Sequence, residues 1–445
     1  SSGTQGAYTV GVGYNALYNN TGNENTAVGY NAMFANTSGV RNTALGLQAL
    51  DANTTASDNT AIGHNTLTSN VVGTRNTAVG TGAMITNTAS DNVAVGYNSL
   101  DTNSTGSNNT AVGTEAMDAN TEGEANVAVG YRALDANTTG DNNTAIGQNA
   151  LGANTTATEN TAVGHNALLT NTTGANLVAV GHDALRLSTT GNNNTALGVD
   201  ALRSNTTGQY NVGVGNEAGD SITTGTENVC MGYSAGSSIT TGSNNVMIGR
   251  SAGTHDIGLT GGAQNIVIGD FSDVHDANGL NQIVIGYNIT SAGNDKFSFG
   301  KPSNIVSNTF TSDASFSRSS DVHKKTNIED DTLGLDFINN LRTVTFNWKP
   351  NSEFPKHYND YSETENHMDT ETKLHGMIAQ EVKAALDKQG VDTFGGWSEE
   401  EDGSQRISQE MFVHPLIKAV QELSKEIEEL KKNSHKPKGL KDMDG

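Results

Sequence analysis

"NTAVGYNAMFANTSGVR" (residues 25–41) runs without a break into "NTALGLQALDANTTASD" (42–58) and "NTAIGHNTLTSNVVGTR" (59–75). The period is 17 residues, and its marker glycines run from Gly13, Gly29, Gly46 and Gly63 to Gly269 and Gly286. Two steps are 16 residues and one, before Gly269, is 20, which fits length changes at a turn. The opening N-T-A-V-G alternates like a strand, with Val28, Leu45 and Ile62 on one face and Ala27, Ala44 and Ala61 on the other. A second part, such as Tyr30-Asn31-Ala32-Met33, adds a small and a large apolar residue. The third, N-T-T-G, is turn chemistry, because Asn and Gly tolerate left-handed backbone and Thr bonds locally. Two short strands and two turns leave no room for a helix. The unit is therefore expected to be one coil of a parallel β-solenoid or β-roll. Stacked at ~4.8 Å, sixteen steps make a rod on the order of 75 Å long.

The stack is expected to bury the aliphatic ladder. The alanine face, small through many units, is expected to allow close approach between sheets or subunits. Towards the end Met247, Val267 and Val284 replace alanine while Leu202 gives way to Gly219, Gly236 and Gly253. That substitution predicts a change of cross-section near a junction.

These units, N-T-A-V-G or N-V-A-V-G over roughly residues 8–290, resemble the head repeats of trimeric autotransporter adhesins, which read like N-S-V-A-I-G. The resemblance implies a β-roll in each chain and three chains around an axis. At 17 residues the unit is longer than the family's usual one, and the family's membrane barrel is not expected among these 445 residues.

Composition excludes several function classes. The formal net charge of −23 over 445 residues disfavours nucleic acid, which needs clustered Lys and Arg. One cysteine, Cys230, rules out an intramolecular disulfide framework. No stretch of about 18 apolar residues exists, so no membrane-spanning helix is expected. The N-terminus has no signal-peptide pattern and enters the repeat almost at once, as a piece of a longer fibre would. No cofactor is implied, and no pair of carboxylates in the repeats marks a glycosidase.

The residue after each marker glycine varies and includes Tyr14, Tyr30, His64, Tyr97, Tyr131, His165, His182 and Tyr233. If outward-facing, these form a broken aromatic and histidine ladder. Tyr97 and Tyr131 are candidate receptor contacts, against the plainer reading of surface rings packed on turns. His165 and His182 are candidate metal ligands on adjacent coils, although two histidines without a neighbouring carboxylate do not make a site. The N-x-T sequons read as turn residues.

After Gly286 the pattern dissolves into a β-rich junction, 291–319, with Pro302 as a break. Seventeen of the 25 basic residues lie beyond Lys301, as do both tryptophans. "LGLDFINNLRTVTFNWKP" (333–350) reads as a helix leading into a strand, and "HGMIAQEVKAALDKQ" (375–389) as a strand leading into a helix. Residues 414–432 carry Leu416, Val420, Leu423, Ile427 and Leu430 at heptad spacing. So short a seam is marginal alone, which argues for partner helices.

The blocks "SSDVHKKTNI", "TFNWKP", "HGMIAQEV" and "HPLIKAVQELSKEIEELK", spread over residues 319–432, resemble the intramolecular chaperone domain of endosialidase-type phage tail spikes and fibres. The resemblance implies that residues 320–432 drive trimerisation and then cut themselves off through a serine–lysine dyad in a motif like S-D-x-R-x-K. Carried over, the dyad is Ser320 and Lys325, with Asp321 between them and His323 in the arginine position. Chemically, a serine hydroxyl needs a base, and a lysine serves once burial or a nearby cation such as Lys324 favours its neutral form. Attack by Ser320 on the preceding carbonyl cuts after Ser319. The resemblance instead places the scissile bond at Ser320–Asp321, and both stay open.

The expected architecture is mainly β and homotrimeric. A β-roll shaft (1–290) and junction (291–319) precede a small α/β chaperone (320–432), which ends in a coiled-coil helix before a tail (433–445). The expected role is a virion tail fibre that binds a host-surface glycan or protein and docks on other tail or baseplate proteins. Its only expected chemistry is a single self-cleavage. The rival roles are a bacterial adhesin or injection-system fibre with the same chaperone, and a glycan-depolymerising tail spike.

Overall fold

The computed structural model describes residues 6–302, 304–310, 322–358, 361–364, 366, 368–400 and 402–434. The chain forms two compact units, Ser1–Ser319 and Ser320–Gly445.

In the first unit every repeat contributes one three- or four-residue strand, from β1 (Val10–Val12) to β17 (Ile283–Gly286). Each strand pairs in parallel with the next at the repeat's own offset, for example Thr43↔Thr60 and Ala44↔Ala61. The ladder continues further than its sequence pattern. β18 (Lys296–Lys301) pairs in parallel with β17, and β19 (Asn304–Thr309) folds back antiparallel on β18. The junction therefore closes the nineteen-stranded sheet with a hairpin.

The second apolar pair of each unit is not a strand. Its backbone alternates in hand, with Asn31 at φ 54° and Met33 at φ 50°, and the same two positions recur as Gln48 and Leu50, then Asn65 and Leu67. Left-handed backbone at a non-glycine residue costs of order 1–3 kcal/mol. Full burial of the Leu or Met side chain contributes about 1.5–3 kcal/mol, so the two effects roughly offset. Coil-to-coil hydrogen bonds add to this: Asn31 N–H donates to Tyr14 O at 3.0 Å and Met33 N–H to Ala49 O at 3.0 Å.

The strand faces are inverted relative to the sequence expectation. Ala27, Ala44 and Ala61 are fully buried, whereas Leu45 is 46 % exposed and Ile146 41 %. The alanines point into the coil against the Leu or Met of the turn. In this packing the strand position must stay small as long as the turn position is large, and the outward column is free to be aliphatic.

The same packing explains the exchange of small and large residues near the junction. Strands at Gly213, Cys230 and Met247 keep a constant 17-residue offset. A Cβ on Gly236 would sit 2.4 Å from Cys230 Sγ, and one on Gly253 2.4 Å from Met247 Sδ. Volume has moved from the turn to the strand, a swap that cores tolerate well; the offset is 17 residues as far as Met247 and 20 in the next coil, which holds Gly253.

Two columns of buried asparagine run alongside. In the first, Asn42 N–H donates to Asn25 Oδ1 at 2.9 Å while Asn42 Nδ2 donates to Ala56 O at 2.9 Å. In the second, Asn53 Nδ2 donates to Asn36 Oδ1 at 2.6 Å and to Ala56 O at 3.1 Å. These amides tie their own turn and the neighbouring coil at once, and so satisfy most of the buried polar atoms of the interior. The eleventh coil interrupts both columns, with Leu177 in the first and Ser188 in the second.

In the second unit α1 (Leu335–Asn339), β20 (Val344–Phe346), β21 (Leu374–Gly376), α2 (Ala379–Lys388), β22 (Trp397–Glu399), β23 (Gln405–Ile407) and α3 (Val413–Ser434) follow in order. β20–β21 and β22–β23 are antiparallel pairs. Leu333, Phe337, Val382, Ala385, Leu386 and Phe412 form the core. The Phe337 ring stacks on Phe412, and Phe394 meets both edge-on.

Candidate functional sites

The proposed self-cleavage site starts where the second unit starts. Ser320 and Asp321 lie outside the described residues. Val322–Lys324 form a single 3-10 turn, and Lys325 N–H donates to Val322 O at 3.1 Å. The side chains of His323 and Lys325 are exposed. The dyad can therefore be placed only at its lysine end.

A second surface lies on α3. Its buried residues are Pro415 and Ala419, which face the domain, and α1 packs against this helix. Glu422 Oε2 accepts from Leu335 N–H at 2.7 Å, which satisfies a donor at the start of α1 that has no partner within its own helix. The heptad residues lie elsewhere: Leu416, Val420, Leu423, Ile427 and Leu430 are all exposed, Leu430 by 68 %. The helix thus uses one face for its own domain and leaves the seam bare. A groove of about 760 Å³, lined by Ile338, Leu341, Val344, Met377 and Phe412, reaches Leu416 at the edge of that seam.

The shaft carries a third surface. The outward strand column is apolar in every coil, from Val12 through Leu45, Ile146, Leu197 and Met231 to Ile285, and its companion column holds only Thr, Val or Ile. Among the described residues its members are half-buried to exposed, Leu45 by 46 % and Leu197 by 49 %.

The residues after the marker glycines do face outwards. Tyr97 and Tyr131 are exposed, and Tyr131 carries the Arg132 guanidinium at 5.3 Å from its ring centre. Thr114 occupies the coil between them. Tyr14 and Tyr30, on adjacent coils, stack at 5.4 Å, and His165 and His182 at 5.2 Å. Beside the histidines stands a residue that sequence reasoning passed over. Asp183, directly after His182 in the chain, brings a carboxylate to the pair, and donor atoms of the three lie within 4.8 Å of one another. The adjacency "HD" was the available signal.

Comparison with known proteins adds one finding. Residues 320–391 match the family described as chaperone of endosialidase. No curated protein and no solved structure matches the chain. Within the C-terminal unit that match begins at Ser320, the unit's first residue.

Proposed function

We propose that this chain is one subunit of a homotrimeric fibre, that its C-terminal unit sets the register of the trimer, and that the fibre attaches a virion to a bacterial surface. The observation that carries this reading is a chaperone-of-endosialidase domain placed directly after a stack of near-identical coils. Two bare apolar surfaces support it. The outward aliphatic column of the shaft and the heptad seam of α3 are both continuous, and both suit a second and third copy of the same chain.

The physics explains why such a shaft needs help. A slip of one coil keeps every side chain on its proper face, so wrong registers cost little. Gathering three aperiodic C-terminal units fixes the register, and the coils then zip from that end. Self-cleavage beside Ser320, with Lys325 as base, would release the tool and leave the rod kinetically trapped.

The test is expression with and without residues 321–445. The full chain is expected to give a soluble trimer, and on a denaturing gel a shaft band plus a release product that Ser320→Ala or Lys325→Ala abolishes. The truncated chain is expected to aggregate or stay monomeric. A soluble native trimer without residues 321–445 would refute the assembly role, and a wild-type chain that stays intact would refute the cleavage.

A further inference from the structure

We propose that His165, His182 and Asp183 bind a first-row transition metal ion of the Zn²⁺ class, bridging the tenth and eleventh coils of the shaft. Among the described residues this is the only group of three metal-ligating side chains with donor atoms so close, all within 4.8 Å. The imidazoles stack at 5.2 Å with planes 14° apart, side by side on neighbouring coils and open to solvent. Tetrahedral Zn²⁺ holds its ligand atoms about 3.4 Å apart, so the exposed rings close the site by rotating towards each other.

Asp183 is prepared for the role. The residue is only 8 % exposed, and its Oδ1 accepts from Asn166 Nδ2 at 3.0 Å. Asn166 directly follows His165, so one ligand's neighbour orients another ligand, as the outer partners of metal sites do. Oδ2 is left facing His182 Nδ1 at 3.9 Å. Arg186 Nη1 stands 3.5 Å from the same oxygen, and Arg186 Nε makes no hydrogen bond, so the guanidinium does not hold the carboxylate in a two-point grip. Two nitrogens and one oxygen select Zn²⁺, Co²⁺, Ni²⁺ or Cu²⁺ over Mg²⁺ and Ca²⁺, which prefer oxygen. Three protein ligands leave a position for water.

The position in the shaft supplies an independent reason. His182 and Asp183 belong to the coil in which Leu177 and Ser188 interrupt both asparagine columns, and Ser188 Oγ in that coil and Asn171 Oδ1 in the one before are buried without partners. Between these two coils one ladder bond remains, Leu177 N–H to Asn160 Oδ1 at 3.0 Å, and a metal spanning residues 165 and 183 adds a second tie.

The experiment uses the full chain, untagged and stripped with a chelator. Zn²⁺ is titrated by calorimetry, and Co²⁺ is followed by its visible absorption. One Zn²⁺ per chain is expected, with His165→Ala, His182→Ala and Asp183→Asn each weakening binding by roughly tenfold or more. His255→Ala, which removes a histidine from outside the cluster, is expected to leave binding unchanged. The absence of saturable binding near one equivalent in the wild type, or a His165→Ala/His182→Ala double variant that binds as tightly, overturns the site. The wild-type Co²⁺ spectrum decides the question even if a variant folds poorly: without a new visible band the proposal fails.

Discussion

The two units of this chain solve the same problem with opposite materials. Through its first twelve coils the shaft mostly repeats one small cross-section of Ala, Leu or Met, and two asparagines, and each strand pairs with those of the neighbouring coils. The C-terminal unit builds a single aperiodic core in which Phe337, Phe394 and Phe412 interlock and Asn351 is a lone buried polar residue among those described. A periodic core is cheap to extend but holds no record of which coil is which. An aperiodic core specifies one partner for each side chain. The difference explains why a shaft of this kind is joined to a unit of the other kind.

Glycine substitutions should separate the two most sharply. A Cβ on Gly130, at φ +138°, would lie 2.5 Å from Gly147 O, so Gly130→Ala forces apart two backbones that touch in every coil. Backbone strain and overpacking together cost on the order of 2–6 kcal/mol. Gly390 in the C-terminal unit also has positive φ, but nothing lies within 4 Å of its absent Cβ. Gly390→Ala should cost only about 1–2 kcal/mol. Thermal melts of both variants test the contrast, and equal losses would mean that the shaft coils are less tightly apposed than described.

A smaller effect is expected from the amide ladder. Asn120 Nδ2 donates to Asn103 Oδ1 at 2.8 Å and Asn120 Oδ1 accepts from Asn137 Nδ2 at 2.8 Å. Asn120→Ala leaves the Asn103 acceptor buried and unpaired, at ~1–3 kcal/mol. The loss should appear first as faster amide exchange in the two flanking coils, with the C-terminal unit unaffected. Uniform exchange throughout the shaft would argue against local ladders.

The smallest expected effect concerns pH. Burial pushes the carboxyls of Asp101, Asp118 and Asp135 up on three successive coils, and the negative charge of Asp118 adds to this at Asp101. Because the folded value lies above the unfolded one, these ions cost stability at neutral pH. That cost is lifted as pH falls from neutral towards about 4. Asp58 and Asp91 act in the opposite sense: hydrogen bonds from Arg41 and Arg75 hold them low, and their contribution is lost as pH falls through the lowered value. Both of these pairs lie at the surface, so the half-buried column should dominate. Asp118→Asn should raise the melting temperature at pH 7 and reduce the gain seen on mild acidification. A lower melting temperature at pH 7 would contradict the assignment.

The period, the parallel stacking and the C-terminal helices were legible because glycine spacing and apolar periodicity report backbone geometry directly. The orientation of the strand was not. Hydrophobicity alone puts Val28 inside and Ala27 outside, and only the size of the turn's Met33 or Leu50 reverses this. The left-handed turn was hidden for a related reason: Leu and Met are poor candidates for positive φ until their burial is known. The asparagine columns were visible as fixed positions but were read as loop chemistry, since a side chain that bonds the next coil cannot be recognised before coils are stacked. Asp183 was missed at the candidate metal site although it adjoins His182, because the histidines were considered by column and not along the chain.

The central claim is that the shaft's outward aliphatic column and the α3 seam are covered by two further copies of the chain. Native mass in solution, by light scattering on the freshly purified full chain, tests it most directly. The account predicts a trimer that Leu423→Lys combined with Ile427→Lys prevents from forming. A stable, soluble monomer of the wild-type chain would contradict it.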